Sequence, residues 1–313
     1  MDVKDKKILY ELANNSRISL NSLAKKVGLN KTTTHYRMKK LEENKTILGY
    51  HTIIDYSKLG LGGFRCYLNF QNTTPQKEEN ILSELAKSKY IHVLARNIGF
   101  ADIIFISWVK IPLEFHNLIK YIKENYHNEL EVLEISPYVK AHHFNRGYLI
   151  GEENKEVIST GGSVLEELDE LDYKILEKIS DNARNTIINI SRSLNSDVRT
   201  IIKRIKKLED KKVIAGYSIN LNIESLGFEY HKLNIIFNKN INYTVLLSFA
   251  SSIPNTVFVD ETTSKYDFEL NLEVKNHQEV EEIIKNIKNK YPDIREIKSF
   301  KLKKFEKFVY IAK

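Results

Sequence analysis

Apolar residues at helical spacing predict three short helices over residues 2–44. Ile8 and Leu12 share one side of the first helix, as in a helix that docks on a core. Ser19 and Asn30 are suited to cap the second and third helices. A short helix, a glycine turn and a long basic helix in this order are typical of a helix-turn-helix.

Alternating apolar residues then predict strands, separated by amphipathic helices. Residues 46–55 are rich in β-forming residues and predict a wing. The βαββαβ order that follows predicts a ferredoxin-like sandwich. Its strands are predicted at 64–71, 91–97, 102–110 and 130–141 with helices at 76–88 and 113–126, and again at 229–237, 256–262, 267–274 and 294–303 with helices at 242–252 and 277–290.

The whole pattern occurs twice, 167 positions apart. Ile8-Leu9 returns as Ile175-Leu176, and Gly49-Tyr50 returns as Gly216-Tyr217. A repeat this long indicates a duplicated domain pair. We therefore predict an α+β fold with internal duplication and pseudo-two-fold symmetry. Its segments are winged helix-turn-helix domains at 1–60 and 165–227, ferredoxin-like domains at 61–150 and 228–313, and a flexible linker at 151–164; copy one precedes this linker and copy two follows it.

The third helix of each copy carries donors and cations on the side opposite its apolar face. Thr34, Met38 and Leu41 are predicted to pack inward, as are their counterparts Ile201, Ile205 and Leu208. A helix in a major groove needs donors for base edges and cations for phosphates. The predicted DNA-binding residues are Lys31, Thr32, Thr33, His35, Tyr36, Arg37, Lys39 and Lys40 in copy one, and Arg199, Thr200, Lys203, Arg204, Lys206 and Lys207 in copy two.

The alternative for these helices is a solvated face on an ordinary amphipathic helix. The recurrence of the same cap, helix and turn before each helix favours double-stranded DNA as the partner. Copy two is less basic, because residues 166–170 are mostly acidic. Copy one is therefore expected to bind more tightly.

Composition narrows the classes of protein further. The net charge of +7 permits a polyanionic partner. The single cysteine, Cys66, and the lack of a signal segment or apolar span predict a cytoplasmic protein without membrane contact. No metal and no cofactor are expected, and His142 and His143 are interpreted as surface residues on opposite faces of a strand. Residues 301–308 predict an edge strand, and Trp108 a core position.

The chain resembles the leucine-responsive and asparagine-synthase regulator (Lrp/AsnC) family of transcriptional regulators. The matching segments are Asp5-x-x-Ile8-Leu9, Arg17-Ile18-Ser19, Leu23-Ala24-Lys25-Lys26-Val27-Gly28-Leu29, Arg37-Met38-Lys39-Lys40-Leu41-Glu42 and Ile47-x-Gly49-Tyr50. The resemblance implies sequence-specific DNA binding, and dimers formed by sheet packing of the α/β (RAM) domains. It also implies an effector, usually an amino acid, near a Gly-x-x-Asp segment.

The effector segment corresponds to Gly99 and Asp102 in copy one and to Ser264 and Asp267 in copy two. Gly99, Asp102 and Asp267 are the effector residues that the resemblance implies. Glycine would let the backbone approach a ligand closely, so serine argues against an effector in copy two. The alternative is that Gly99 is only a turn residue between strands.

A covalent tandem departs from the single-copy members of the family. We predict an intramolecular pseudo-dimer whose two third helices have diverged and read an asymmetric operator with unlike half-sites. Further assembly into a higher homo-oligomer stays open.

Two other functions are compatible with this pattern. Siroheme decarboxylases resemble the family and also occur as fused copies, and His92, Arg96 and His116 could face a tetrapyrrole. Copy two does not reproduce this set, and the basic third helices favour DNA, so we predict that the protein is not an enzyme. The remaining alternative is a metabolite sensor that signals through a protein partner.

Overall fold

The computed structural model describes residues 1–154 and 156–309. Lys155, in the predicted linker, and residues 310–313, in the second ferredoxin-like segment, lie outside the described residues. In chain order the elements are α1 (Val3–Asn14), α2 (Leu20–Val27), α3 (Lys31–Glu43), β1 (Ile47–Ile54), β2 (Gly62–Phe70), α4 (Pro75–Lys87), β3 (Ile91–Gly99), β4 (Ile103–Val109), α5 (Pro112–Tyr126), β5 (Leu130–Phe144), β6 (Val157–Thr160), α6 (Glu170–Ser180), α7 (Ile187–Ser193), α8 (Val198–Asp210), β7 (Ile214–Leu221), β8 (Glu229–Phe237), α9 (Tyr243–Ser251), β9 (Thr256–Thr262), β10 (Phe268–Val274), α10 (His277–Lys290) and β11 (Ile294–Phe308).

The chain divides into two compact units, and each unit combines segments from both copies. Unit 1 contains Met1–Leu59, His142–Phe228 and Phe249–Val257, and so holds both sets of three helices. Unit 2 contains Gly60–Ala141, Glu229–Ser248 and the chain from Phe258 onward, and so holds both βαββαβ segments. The predicted α+β fold class is confirmed, whereas the five-segment division at residues 60, 150, 164 and 227 stays a prediction.

The helices of unit 1 begin and end where the local sequence favours it. The predicted caps Ser19 and Asn30 accept hydrogen bonds from the first turns of α2 and α3. Thr186 and Asp197 do the same for α7 and α8 in copy two. The turn between the second and third helices contains Gly28 at φ +66° in copy one and Asn195 at φ +47° in copy two. Glycine and asparagine tolerate this left-handed conformation better than other residues.

The third helices bury the predicted face. Thr34, Met38 and Leu41 of α3 are buried, and so are Ile201, Ile205 and Leu208 of α8. Met38 and Leu41 pack into one core with residues of α1 and α2. The three-residue and four-residue spacing therefore determines which side of each helix stays in solvent.

The two predicted wings form a single shared element of unit 1. β1 pairs antiparallel with β7, with Thr52 opposite Tyr217 and Gly49 opposite Asn220. Each copy therefore supplies a strand at its predicted wing position, and the two strands pair with each other. An isolated strand leaves its backbone groups without partners, and the equivalent strand of the other copy supplies them.

The eight strands of unit 2 form a closed ring in the order β2-β4-β3-β11-β8-β10-β9-β5, with β5 pairing back to β2. Each copy contributes four strands, and the copies join where β3 meets β11 and where β5 meets β9. Residues 300–308 of β11 pair with β3, whereas the pairing of β11 with β8 covers Ile294–Lys301. Over 302–308 the described pairing is with β3 alone, as expected of an edge strand. The strand that pairs with this segment belongs to the other copy, which the alternation of lysine and apolar residues did not reveal.

Helices α4 and α5 cover the outward face of the copy-one strands. Cys66, Leu68 and Phe105 point into this helix-covered core, whereas Tyr67 belongs to a separate cluster on the opposite face. Cys66 is fully buried, and burial raises the pKa of its thiol. Trp108 is only half-buried and contacts the Tyr138 ring edge-on at 5.6 Å between centroids.

The connector between the copies is ordered over much of its length. β6 pairs with β5, and the Asp55 carboxylate accepts hydrogen bonds from the Gly161 N–H at 3.0 Å and the Ser163 hydroxyl at 2.9 Å. The prediction of a flexible linker is therefore wrong over 157–163. His142 is buried with its Nδ1 2.8 Å from the Ser159 hydroxyl, which also corrects its interpretation as a surface residue.

Candidate nucleic-acid interface

The solvent side of α3 carries most of the residues predicted to bind DNA. Tyr36 is 65% exposed and lies one turn beyond Thr32. Thr33 is half-buried, whereas the other exposed members of the set are Lys31, Thr32, His35, Lys39 and Lys40. Lys39 also lies 3.6 Å from Glu43 on the same helix, which is an exposed and weak ion pair.

The solvent side of α8 is chemically different. Arg199, Lys203 and Lys206 are exposed, whereas Thr200, Arg204 and Lys207 are half-buried. The same helix exposes two β-branched residues that the sequence analysis missed, Val198 at 39% and Ile202 at 50%. A comparison of the two copies could have identified both residues, because the 167-residue offset aligns them with Lys31 and His35 of copy one.

Both arginines that the sequence predicts as DNA contacts at equivalent positions of the third helices, Arg37 and Arg204, are held in ion pairs with acidic residues at the start of the first helix. Arg37 Nη1 lies 2.7 Å from carboxylate oxygens of both Asp2 and Asp5 at the start of α1. The Asp5 backbone N–H and then the Arg37 guanidinium lower the pKa of the Asp2 carboxyl. Copy two repeats this arrangement, with Arg204 2.5 Å from Asp169. Both arginines therefore connect a third helix to a first helix.

Reciprocal hydrogen bonds join the two three-helix modules within unit 1. Arg17 Nη1 donates to the Ala183 carbonyl at 2.6 Å, and Arg184 Nη1 donates to the Ser16 carbonyl at 2.6 Å. Each contact is the image of the other under exchange of the copies. The two modules are therefore fixed in a pseudo-two-fold arrangement around the β1–β7 pair.

The same two arginines also contact aromatic rings of the shared strands. The Arg17 guanidinium carbon lies 5.4 Å from the centre of the Tyr217 ring, and that of Arg184 lies 5.4 Å from the centre of the Tyr50 ring. A cation over an aromatic face is attracted by the ring quadrupole. These contacts extend each reciprocal hydrogen bond into a connection between one module and the strand of the other copy.

In unit 2, the aspartates of the Gly-x-x-Asp segment and of its copy-two counterpart bind backbone N–H groups. The Asp102 carboxylate accepts from the Phe70 N–H at 2.9 Å, and the Asp267 carboxylate accepts from the Phe237 N–H at 2.8 Å. Gly99 has φ +126°, and a Cβ at this position would lie 2.9 Å from a carbonyl oxygen of β11. Strand packing alone is sufficient to account for Gly99, Asp102 and Asp267. The role of these three residues in effector binding therefore stays a prediction.

The residues considered for a tetrapyrrole are engaged in separate contacts. His92 is buried, its Nδ1 accepts from the Trp108 N–H at 3.2 Å, and burial lowers its pKa to about 4. Arg96 forms ion pairs with two glutamates, and His116 is exposed on α5. Within residues 1–154 and 156–309, no three His, Cys, Asp or Glu side chains are placed to hold a metal. No helix in these ranges is both long and apolar enough to cross a membrane.

Known proteins match the chain in both its helical modules and its overall fold. A family model of winged helix-turn-helix DNA-binding domains matches residues 1–47 and 168–215. An uncharacterized HTH-type transcriptional regulator of Pyrococcus horikoshii is 31% identical over 121 residues, which cover 39% of this chain and 82% of that protein. The HTH-type transcriptional regulator Ptr1 of Methanocaldococcus jannaschii is 31% identical over 100 residues, covering 32% of this chain and 68% of Ptr1.

Among solved structures, that of the siroheme decarboxylase NirDL aligns over 99% of this chain and 94% of its own length. The TM-score is 0.64 and the sequence identity is 12%. At this identity the likeness shows a shared fold and nothing about the site.

Proposed function

The chain belongs to the Lrp/AsnC family of HTH-type transcriptional regulators, and we propose that it reads two unlike DNA half-sites as one covalent pseudo-dimer. One observation supports this proposal above all. The third helices of both copies expose a polar face, and the reciprocal hydrogen bonds of Arg17 and Arg184 hold the two modules in a fixed arrangement. Helix-turn-helix proteins place this helix in the major groove, and paired modules read half-sites separated by about one helical turn or a multiple of it.

The two faces differ where base contacts are made. Near its start α3 presents Thr32, His35 and Tyr36, whereas α8 presents Arg199 and Ile202. Arginine pairs with the O6 and N7 of guanine, and apolar side chains contact the thymine methyl group. The half-site under α8 is therefore proposed to contain a guanine next to a thymine, and the half-site under α3 to differ from it.

Exposed lysines further along each helix supply the contacts with phosphates. Lys39 and Lys40 take this role in α3, and Lys206 takes it in α8. Lys207 lies 3.6 Å from the buried carboxylate of Asp172 and is proposed to contribute less. The larger number of exposed lysines in this part of the helix, two in α3 and one in α8, supports tighter binding by copy one.

We also propose an amino-acid effector near Gly99 and Asp102. We propose in addition that the pseudo-dimer can assemble into a higher homo-oligomer. Both of these proposals rest on the family alone. The siroheme decarboxylase alternative rests on the fold alone, because His92 and Arg96 have contacts that serve the strands around them. DNA regulation is the function that the described side chains support best.

The test is selection of the purified protein on a random duplex pool at two salt concentrations. We expect a bipartite, non-palindromic site whose affinity falls steeply as salt rises. Arg199→Ala should weaken binding by about 1–3 kcal/mol and relax the preference in one half-site, whereas Tyr36→Ala should act on the other. Lys120→Ala, at an exposed lysine of α5, is the matched control.

Each outcome of this selection has a distinct meaning. Selection of a perfect palindrome would contradict the proposal of unlike half-sites but would still support a DNA-binding regulator. The absence of enrichment and of salt-dependent affinity would reject the regulator itself. A coloured preparation that carries a tetrapyrrole would favour the enzyme.

A further inference from the structure

Four charged side chains lie buried together inside the closed strand ring of unit 2. We call the four strands that copy one contributes to this ring the copy-one sheet, and those of copy two the copy-two sheet. Arg65, Lys232, Asp260 and Glu269 expose 3%, 4%, 8% and 2% of their side chains, respectively. Arg65 Nη1 lies 2.8 Å from Asp260 Oδ2, and Lys232 Nζ lies 3.0 Å from Glu269 Oε2. Arg65 also pairs with Glu269, and Lys232 with Asp260. We call these four residues the inter-copy charge cluster, and its formal charges cancel.

The copies contribute equivalent cations to the inter-copy charge cluster. Arg65 is the fourth residue of the nine-residue β2, and Lys232 is the fourth residue of the nine-residue β8. Burial alone would lower the pKa of the Arg65 guanidinium, but Glu269 and Asp260 together raise it. Arg65 and Lys232 therefore occupy equivalent positions in the two copies, and both need buried carboxylates as partners.

Both carboxylates come from copy two. Asp260 is the fifth residue of β9, and the fifth residue of β3 is Ala95. Glu269 is the second residue of β10, and the second residue of β4 is Ile104. Ala95 and Ile104 are themselves buried, so copy one is apolar at both carboxylate positions.

A hydroxyl from copy one completes this asymmetry. Tyr138 in β5 donates a hydrogen bond to Asp260, and the same position of β11 is Leu302. The Arg65 guanidinium carbon also lies 5.3 Å from the centre of the Tyr138 ring. Copy one therefore provides a donor for a carboxylate that only copy two carries at these positions.

Only a mixed pair of sheets balances the buried charge. Two copy-one sheets would bury two arginines with neither carboxylate, and two copy-two sheets would bury two lysines with four carboxylates. Removing the partners of a buried charge is strongly destabilising, because the desolvation penalty is no longer compensated.

We propose that the inter-copy charge cluster is a pairing code for the α/β domains. It makes the copy-one sheet accept a copy-two sheet and reject a second copy-one sheet. It likewise rejects the α/β domain of a single-copy family member that lacks the two carboxylates. The partner that fits the inner face of copy one is therefore a sheet with one cation and two buried carboxylates.

The first test gives copy two the side chains of copy one within the full chain. Lys232→Arg with Asp260→Ala and Glu269→Ile imitates a pair of copy-one sheets. We expect this variant to lose its cooperative unfolding transition or to unfold at a clearly lower denaturant concentration. The control also replaces both cations, through Arg65→Met and Lys232→Met with Asp260→Ala and Glu269→Ile, and should unfold at a higher denaturant concentration than the imitation. Equal midpoints for the two variants would overturn the proposal.

The second test exchanges one pair of charges. Arg65→Glu and Glu269→Arg should each lower the denaturant midpoint, whereas the double variant should lie above both single variants because it is neutral again. The same reversal at the exposed pair Lys87 and Glu84 should be additive. If the reversals prevent folding, Arg65→Met and Glu269→Gln give the milder form of the same comparison. A double variant below both single variants contradicts the pairing code.

Discussion

At the scale of single residues, Arg37 and Lys40 show that two cations on one helix can have different roles. Arg37 is held between two carboxylates of α1, whereas Lys40 is exposed. Charge and position along the helix do not distinguish them, because the acidic partners of Arg37 lie more than 30 residues earlier in the chain. The contact, rather than the residue type, decides which cation is available to a phosphate.

Lys40→Ala is predicted to reduce the dependence of DNA affinity on salt. Loss of one phosphate contact should lower the slope of log K against log salt concentration by about 0.9. Arg37→Met should leave the slope nearly unchanged and lower the free energy of unfolding by up to about 1 kcal/mol, since its ion pairs are partly exposed. Binding titrations at several salt concentrations and denaturant unfolding measure the two effects. Equal slope changes in both variants would show that Arg37 contacts DNA.

His92 predicts a loss of stability in mild acid. Its pKa is lowered to about 4 by burial, from an ordinary value of 6.5. The unfolded chain therefore binds a proton more readily, and the contribution of His92 is fully present above about pH 6.5 and is lost as the pH falls towards 4. His92→Asn keeps an acceptor for the Trp108 N–H but does not titrate, so its stability should depend less on pH in this window. His116→Asn, at an exposed site, is the control for denaturant unfolding at a series of pH values.

At the scale of elements, the joint between β3 and β11 depends on a glycine. Gly99 ends β3 at φ +126°, and Phe300 of β11 is its register partner. An added Cβ would lie 2.9 Å from the Ser299 carbonyl oxygen and 3.2 Å from the Phe300 Cα. The backbone of the other copy, rather than a turn alone, therefore excludes a side chain here.

Gly99→Ala is predicted to lower the free energy of unfolding by about 1–3 kcal/mol, through backbone strain and the contact with β11. Gly151→Ala is the matched control, because Gly151 also has a positive φ of +73° but no described atom within 4 Å of an added Cβ. Denaturant unfolding of both variants separates the two causes. An equal loss at both positions would assign the effect to φ alone.

At the scale of the whole molecule, duplication gives each unit one contribution from each copy. The reciprocal bonds of Arg17 and Arg184 join the modules of unit 1, and the mixed strand ring joins the sheets of unit 2. The copies have then diverged where symmetry is not required, on the exposed faces of α3 and α8 and within the inter-copy charge cluster. A covalent tandem permits this divergence, because each copy always has the same partner.

The double variant Arg17→Met/Arg184→Met is predicted to broaden the tolerated spacing between half-sites. Without the reciprocal hydrogen bonds the modules should bind the preferred spacing less tightly and altered spacings relatively better. Affinity for duplexes with one to five base pairs inserted between the half-sites measures this tolerance. Lys174→Met, at an exposed lysine of α6, is the control. An unchanged spacing profile would show that β1 and β7 hold the modules without the arginines.

The sequence by itself determined the local elements, the duplication and the family. The predicted β8 at 229–237 and α10 at 277–290 match the structure residue for residue, because apolar periodicity and caps act over a few neighbouring positions. Lrp/AsnC membership and the α+β fold class are confirmed, whereas the DNA-binding and effector residues stay predictions. The family could be recognised from the sequence because the short matching segments between Asp5 and Tyr50 occur in the order and at the spacing typical of the family.

Only the tertiary structure decided which segments of the two copies meet. The β1–β7 pair, the β3–β11 pair, the ordered connector and the pairing of Arg65 with Asp260 join residues separated by about 100 to 215 positions. Each copy repeats nearly the same pattern, so the sequence does not distinguish pairing within a copy from pairing between copies. That choice depends on satisfying strand edges and buried charges together, which are properties of the assembled sheets rather than of any one segment.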